Sequence, residues 1–360
     1  MRRSKKFKEP NDLRRKGNTI MIFTRILNIK KLLYSTIMLL SLTACGSDDN
    51  GGDNGGATER NDNRNTVYTD QAATRIEVPH LQGGNSQFIV YRTSDKSFDK
   101  DGVNYCVEWD KDLKANRWSC YILTKKNIAG NGKRWGGDRF VSQTNTSAAY
   151  FFDTNNLTLT DYYYNSENGN VRDYLYGSGF DHGHICNSND RTYNSYSKTE
   201  VGEINKQTFY LTNMQPQYSV FNGSDPRHQY KGLWLTMENF VHNFTLSNKF
   251  GANDTLFVCK GGTIDHEDQI LKRIDGKLIV PKYFYAAVVW KRTSLNVYSG
   301  IAFWFEHKNE YHGDDSLKGY AISISELEQK LGGKIDFFCN LPDKTEKAVE
   351  KTAATMDFGL

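Results

Sequence analysis

The chain has 360 residues, with 46 Lys and Arg against 42 Asp and Glu, a formal net charge of +4. That excess belongs to the leader. Removing the 11 basic and 2 acidic residues of positions 1–45 leaves 35 against 40, a net of −5. A body of that sign excludes bulk electrostatic attraction as the basis of tight, non-specific nucleic-acid binding, so any basic groove must be local.

In chain order, Arg2, Arg3, Lys5, Lys6, Lys30 and Lys31 make a basic leader. The apolar run at 32–44, LLYSTIMLLSLTA, is shorter than the roughly 20 residues a membrane span needs and has the length of a signal-peptide core. Met21 is a plausible start. The run ends in Leu42-Thr43-Ala44-Cys45, which looks like a bacterial lipoprotein cleavage box. It implies an exported product that carries lipid on Cys45 and is held to the cell envelope, at the outer membrane. Residues 46–65 are mostly Gly, Asp and Asn and offer no core. The expected division is a signal peptide over 1–45, a disordered tether over 46–78 and one folded domain over 79–355. That domain is long enough to bury a sizeable core.

Strands are expected at 86–92 and 101–108, the second pairing with 118–123 as a hairpin. Residues 126–139, KNIAGNGKRWGGDR, form a Gly-rich basic loop in which Arg134-Trp135 or Arg139 is placed to meet phosphate. A polar, Tyr-rich stretch follows over 147–176. Residues 204–212 read as a strand and 233–250 as the clearest helix, with Leu233, Trp234, Met237 and Val241 on near-helical spacing. Later strands are expected at 255–259, 284–290, 297–305 and 335–339. Helices are expected at 323–330, with Ser325 and Glu328 as a capping box, and at 343–354. This order fits an α/β (α+β) architecture, a central mostly antiparallel sheet with helices on its faces.

Six cysteines in an exported chain invite disulfides. Cys106 and Cys120 sit on opposite arms of the proposed hairpin, and Cys259 and Cys339 both end apolar strands. Cys186 is left over near His184, and a cysteine nucleophile there is an alternative without an evident orienting partner.

Chemistry concentrates at 177–191, GSGFDHGHICNSNDR, where Asp181 precedes His182 and His184, one glycine separates the histidines, and Asp190-Arg191 follows. A second polar constellation comprises Asn213-Met214-Gln215-Pro216-Gln217, Asn222, and Trp234 with Glu238 one helical turn on. Histidine, asparagine and glutamate without nearby spare cysteines suggest a hard cation.

Together these motifs resemble the DNA/RNA non-specific endonucleases of the ββα-metal (His-Me finger) type, over about residues 80–350. The sequence departs from that pattern at His182, where an arginine is usual, and in a longer interval between Asn222 and Trp234. The resemblance implies hydrolysis of DNA and RNA without base specificity. It gives His184 as general base and Asn222 as the protein ligand of Mg²⁺, with Mn²⁺ as the alternative. Glu238 would hold water at the cation, and Arg134 would meet phosphate. Asp181, His182, Asn213 and Arg191 would support the site or bind substrate. A catalytically inactive, surface-anchored binding protein on the same fold is the other reading. No protein partner is evident, and the oligomeric state is open.

Overall fold

Side chains alternate across a strand, so a run apolar at every position must be covered on both faces. The strand Tyr283–Arg292 is such a run: Phe284, Ala286, Val288 and Trp290 enter one buried cluster, and Tyr285, Ala287 and Val289 another. The computed structural model describes residues 59–66, 70–128, 134, 164–167, 170–173, 175, 177–192 and 203–360. The leader, Cys45, Trp135, Arg139 and most of 147–176 lie outside the described residues.

Strands β1 (Ser86–Arg92), β2 (Val103–Asp110) and β3 (Ala115–Leu123) form the expected meander. After α1 (Lys125–Ile128) come two small pairs, β4 (Tyr164–Glu167) with β5 (Asn170–Asp173), and β6 (Asp181–His184) with β7 (Met214–Gln217). Between β6 and β7 lies α2 (Glu203–Gln207), and after β7 come α3 (Ser219–Asn222) and α4 (Leu233–Leu246). The chain continues with β8 (Thr255–Gly262), the pair β9 (Ile270–Ile274) and β10 (Leu278–Pro281), β11 (Tyr283–Arg292), β12 (Val297–Glu306) and β13 (Ala321–Ile322). It closes with α5 (Ile324–Lys330), α6 (Asp343–Glu350) and α7 (Thr355–Phe358). The central sheet has seven strands in the order β1-β2-β3-β8-β11-β12-β13, every neighbouring pair antiparallel. The expected sheet with flanking helices is what the chain forms.

Helix α4 covers one face. Its buried stripe of Leu233, Trp234, Met237, Val241 and Phe244 joins Val258, Phe284 and Phe303. Each such side chain contributes roughly 1.5–3 kcal/mol through burial. The opposite face is covered by Ile324, Leu327, Phe337, Phe338, Leu341 and Val349.

Several expectations need correction. Residues 204–212 are not a strand: Thr208 bonds back to the Asn205 carbonyl at 2.7 Å, and the segment forms α2 and a 3₁₀ turn at Leu211–Asn213. Residues 335–339 are not a strand either. The Phe337 amide donates to Glu328 Oε1 at 2.8 Å, and Phe338 takes a left-handed φ of 55°, so the apolar run folds over the sheet as a turn. Periodicity alone does not separate these outcomes for a short apolar run. Glu328 is therefore not a capping residue; Ser323 caps α5, accepting from the Glu326 amide. Helix α4 stops at Leu246, with Ser247 as its C-cap.

The folded unit runs from Glu59 to Leu360, so it extends beyond 79–355 at both ends. Part of the expected tether is docked, both by burial of Ala72, Ala73 and Val78 in the core and by side-chain amides. Asn61 Nδ2 donates to the Leu341 carbonyl at 2.7 Å, and Asn65 Nδ2 to those of Ala73 and Pro79. At the other end Phe358 is buried against the α4 side of the sheet.

Cysteines 106, 120, 186, 259 and 339 are free, buried thiols, not the expected disulfides. Cys106 does oppose Cys120 across β2–β3, but Cys120 also opposes Cys259 across β3–β8, so three thiols share one row. The neighbour of Cys259 is thus Cys120, while Cys339 Sγ lies 3.8 Å from the Val78 carbonyl.

Candidate active site

In β6 the histidines two residues apart share one strand face, and Gly183 between them faces the other way. A side chain at 183 has no room: a Cβ there would lie 2.3 Å from the Gln217 carboxamide carbon. Glycine is needed because Gln217 of β7 crosses that point. β7 is locked to the main sheet by Gln215 Nε2, which donates to the Asn116 carbonyl at 2.8 Å.

Helix α4 completes the frame. Trp234 Nε1 donates to the His184 carbonyl at 3.1 Å, tying helix to strand. The longer interval between Asn222 and Trp234 is resolved by glycine packing. A Cβ on Gly232 would lie 2.4 Å from Gly223 N, and Gly223 itself sits at φ +91°. The residues that cap α3 and open α4 therefore touch backbone to backbone, and the intervening residues loop out.

His182, His184, Asp181, Asn222, Glu238 and Arg134 all line one cleft of about 450 Å³. His184 and Asn222 therefore face the same space. The His184 ring stands edge-on to Phe209 at 4.6 Å. Asp181 accepts from Ser219 Oγ at 3.0 Å, from Asn222 Nδ2 at 3.1 Å and from the Ser224 hydroxyl. With its NH₂ group held by Asp181, the Asn222 amide keeps its oxygen as acceptor. That oxygen is a neutral, hard donor, suited to a divalent cation that retains most of its water.

Glu238 is buried, and its Oε1 lies 2.6 Å from Lys260 Nζ on β8. Burial raises the Glu238 carboxyl, and the Lys260 charge opposes that shift. The Lys260 ammonium also sits over the rings of Trp234 at 5.1 Å and Tyr121 at 5.6 Å. Arg134 Nε donates to Ser188 Oγ at 2.8 Å, with the guanidinium 5.4 Å from the Phe209 ring centre.

Asn213 stands behind the cleft. Its Oδ1 accepts from Ser119 Oγ and the Cys186 amide, and its Nδ2 donates to the carbonyls of Cys186 and Thr208. It holds the segment leaving β6 against β3, as a support. Arg191 does not face substrate. It is fully buried, 4.4 Å from the Tyr121 ring centre and 5.3 Å from that of Phe98, and donates to the Asp190 carbonyl. Cys186 is not a nucleophile in this arrangement. It is buried and absent from the cleft lining, and burial pushes its thiol up to about 12.

Sequence reasoning missed Ser188, Tyr230 and Lys260. Lys260 had a signal, a lone lysine in the otherwise apolar strand TLFVCKGG. Tyr230 had none; it is 64% exposed at the cleft, with φ 58°.

Comparison with known proteins finds several similar chains. A protein of Nostoc sp. (strain PCC 7120 / SAG 25.82 / UTEX 2576) named as a nuclease is 26% identical over 179 residues, covering 48% of this chain and 56% of the relative. Nuclease C1 of Cunninghamella echinulata var. echinulata is 26% identical over 172 residues, covering 47% and 61%. The chain thus spans less than two thirds of the length of these curated relatives. A chain in the crystal structure of the EndoG/EndoGI complex is similar at a TM-score of 0.45 and 19% identity, over 73% of this chain and 91% of that one. The sequence pattern of the DNA/RNA non-specific endonucleases matches residues 86–344, from β1 into α6. On that match the chain belongs to the DNA/RNA non-specific endonuclease family.

Proposed function

We propose that the chain is a divalent-metal-dependent hydrolase that cuts phosphodiester bonds of DNA and RNA without reading base sequence. The observation that carries this is the presence of His184 and Asn222 in one cleft, with the Asn222 amide turned by Asp181 so that its oxygen is the acceptor. Asn222 would hold the cation, Mg²⁺ first and Mn²⁺ second. When bound, such a cation withdraws charge from the phosphate and from the leaving oxygen.

His184, as neutral imidazole, takes the proton of the attacking water while a new P–O bond forms and the old one breaks. Arg134 has its Nε engaged by Ser188, so its terminal nitrogens meet a non-bridging phosphate oxygen. Lys260 offsets Glu238, so the buried carboxylate does not repel the phosphate. Glu238 would hold water beside a bound cation. His182 flanks the phosphate. Tyr230 at the rim offers a face on which a base stacks, whatever its identity. These contacts address backbone and ring faces, which carry no sequence information. Alongside, we propose export with a lipid anchor at Cys45, resting on residues 42–45 alone; incorporation of a labelled fatty acid, absent in Cys45→Ala, tests it.

The test of function is digestion of plasmid DNA and of RNA after EDTA treatment and metal add-back. Cutting should return with Mg²⁺, vanish in His184→Ala and persist in Cys186→Ser. Cutting that survives the chelator, or that continues at the wild-type rate in His184→Ala, removes the proposal.

A further inference from the structure

On the sheet face away from the cleft, four acids converge: Glu328 of α5, Asp336 in the turn after it, and Glu346 and Glu350 of α6. One carboxylate oxygen from each of Glu328, Asp336 and Glu350 lies within 4.8 Å of the others. Glu328 and Asp336 are half-buried, and the two acids of α6 are buried. Glu350 is 7% exposed and Glu346 3%. Glu350 Oε1 is buried with no hydrogen-bond partner, although its carboxyl is one of the three that meet. Among the described residues, no Lys or Arg forms an ion pair with any of the four; the nearby pairs are Lys330 with Glu326 and Arg60 with Asp343. The donors present are neutral. Asn63 Nδ2 reaches Asp336 Oδ2 at 3.0 Å and Glu346 Oε1 at 2.9 Å, and the Phe337 amide reaches Glu328 Oε1.

Buried carboxylates this close either stay protonated or hold a cation. We propose that Glu328, Asp336 and Glu350, with Glu346 beside them, are the ligands of a calcium ion separate from the cation of the cleft. The ligand set favours calcium: several carboxylates supplied by the protein suit an ion that takes six to eight oxygens, whereas Mg²⁺ keeps most of its water and uses one or two carboxylates. Asn63 Oδ1 is also buried without a partner, and a turn of its amide would add a neutral oxygen. The ion would join four pieces of chain: residues 59–66 through Asn63, α5, the Asp336 turn and α6. Burial already holds Glu328 up to about 7, Glu346 up to about 8 and Glu350 up to about 10, so the charged cluster is costly without a cation.

The test uses the full chain, stripped with chelator and free of nucleic acid. Thermal unfolding is followed as CaCl₂ is added, and bound calcium is counted by equilibrium dialysis. Asn222→Ala is run in parallel to silence the cleft. Calcium at a hundred times its dissociation constant should raise the midpoint by about 5 °C in both wild type and Asn222→Ala. Asn222→Ala should bind one calcium, and MgCl₂ should do less. Glu350→Gln and Asp336→Asn, which keep shape, should lose the shift while retaining Mg²⁺-dependent cutting. No shift in wild type overturns the proposal, since protons then satisfy the cluster. So does a shift that disappears in Asn222→Ala or persists in both acid variants. The wild-type and Asn222→Ala arms decide the matter even if an acid variant fails to fold.

Discussion

The molecule has two acidic centres, one on each side of its sheet, and they are built oppositely. In the cleft each carboxylate has its partner: Asp181 accepts from Ser219, Asn222 and Ser224, and Glu238 lies against Lys260. On the far side Glu328, Asp336 and Glu350 meet, and among the described residues no Lys or Arg forms an ion pair with them. A carboxylate whose hydrogen bonds are complete positions its neighbours. A set of buried carboxylates without a counter-charge is a place for a cation. One region therefore spends its acids on aiming an amide, and the other leaves them to converge.

The comparison can be broken most strongly at His184. His184→Ala should lower kcat on plasmid DNA by about 10²–10⁴-fold with little change in unfolding midpoint, whereas Glu350→Gln should cut DNA at the wild-type rate in Mg²⁺. Equal loss in both variants would mean the two sides do not divide the work as described.

Lys260→Met converts the cleft acid into the far-side kind. With Glu238 buried and unpaired, unfolding free energy in denaturant should fall by about 3–5 kcal/mol at pH 7. A smaller loss at pH 5 than at pH 7 would show that Glu238 then carries a proton.

A third measurement concerns the support of Asn222. His307 Nε2 accepts the amide of Tyr218, the residue that opens α3, and its Nδ1 lies 2.9 Å from the Pro281 carbonyl. Its ring is packed among Phe180, Tyr218, Phe221 and Phe284, with no charged group among them. Burial pushes the imidazole down to about 4. The unfolded chain takes up this proton near pH 6.5 and the folded chain only near pH 4. The neutral ring's contribution is thus complete above pH 6.5 and lost as pH falls toward 4, about 3 kcal/mol in all. His307→Gln should flatten that part of the stability profile; an unchanged slope would place the effect elsewhere.

Asp181→Asn sharpens the contrast by a smaller amount. If the carboxylate orients Asn222, the Mg²⁺ concentration for half-maximal cutting should rise about 10–100-fold while kcat at saturating metal recovers. A kcat loss that no Mg²⁺ concentration restores would argue against the positioning role. The least effect is expected at Tyr230, where Tyr230→Ala should raise KM for single-stranded DNA about tenfold and leave kcat unchanged, the scale of one lost base stack.

Much of the cleft was legible in the sequence because its residues are close in the chain and set by local geometry. Asp181, His182 and His184 lie on one four-residue strand, and Trp234 and Glu238 are one helical turn apart. The misreadings came from partners distant in the chain. Arg191, expected to support the site or bind substrate, is held between Tyr121 and Phe98, which leaves it the supporting part. The Cys259–Cys339 pairing failed because β3–β8 pairing puts Cys120 opposite Cys259. The Asn-rich stretch before residue 79 looked like tether, yet Asn61 finds the carbonyl of Leu341, far along the chain.

By itself the sequence determined the alternating apolar runs of the sheet, the stripe of α4 and the pair of histidines two residues apart. These are properties of neighbours within a few residues, and steric periodicity enforces them wherever the chain goes. Only the tertiary structure decided that Lys260 neutralises Glu238, that Asp181 turns the Asn222 amide, and that three acids from α5, the Asp336 turn and α6 meet in one place. Charge pairing and amide orientation depend on distances of a few ångströms between residues distant in the chain, and those distances exist only after the sheet has closed its register.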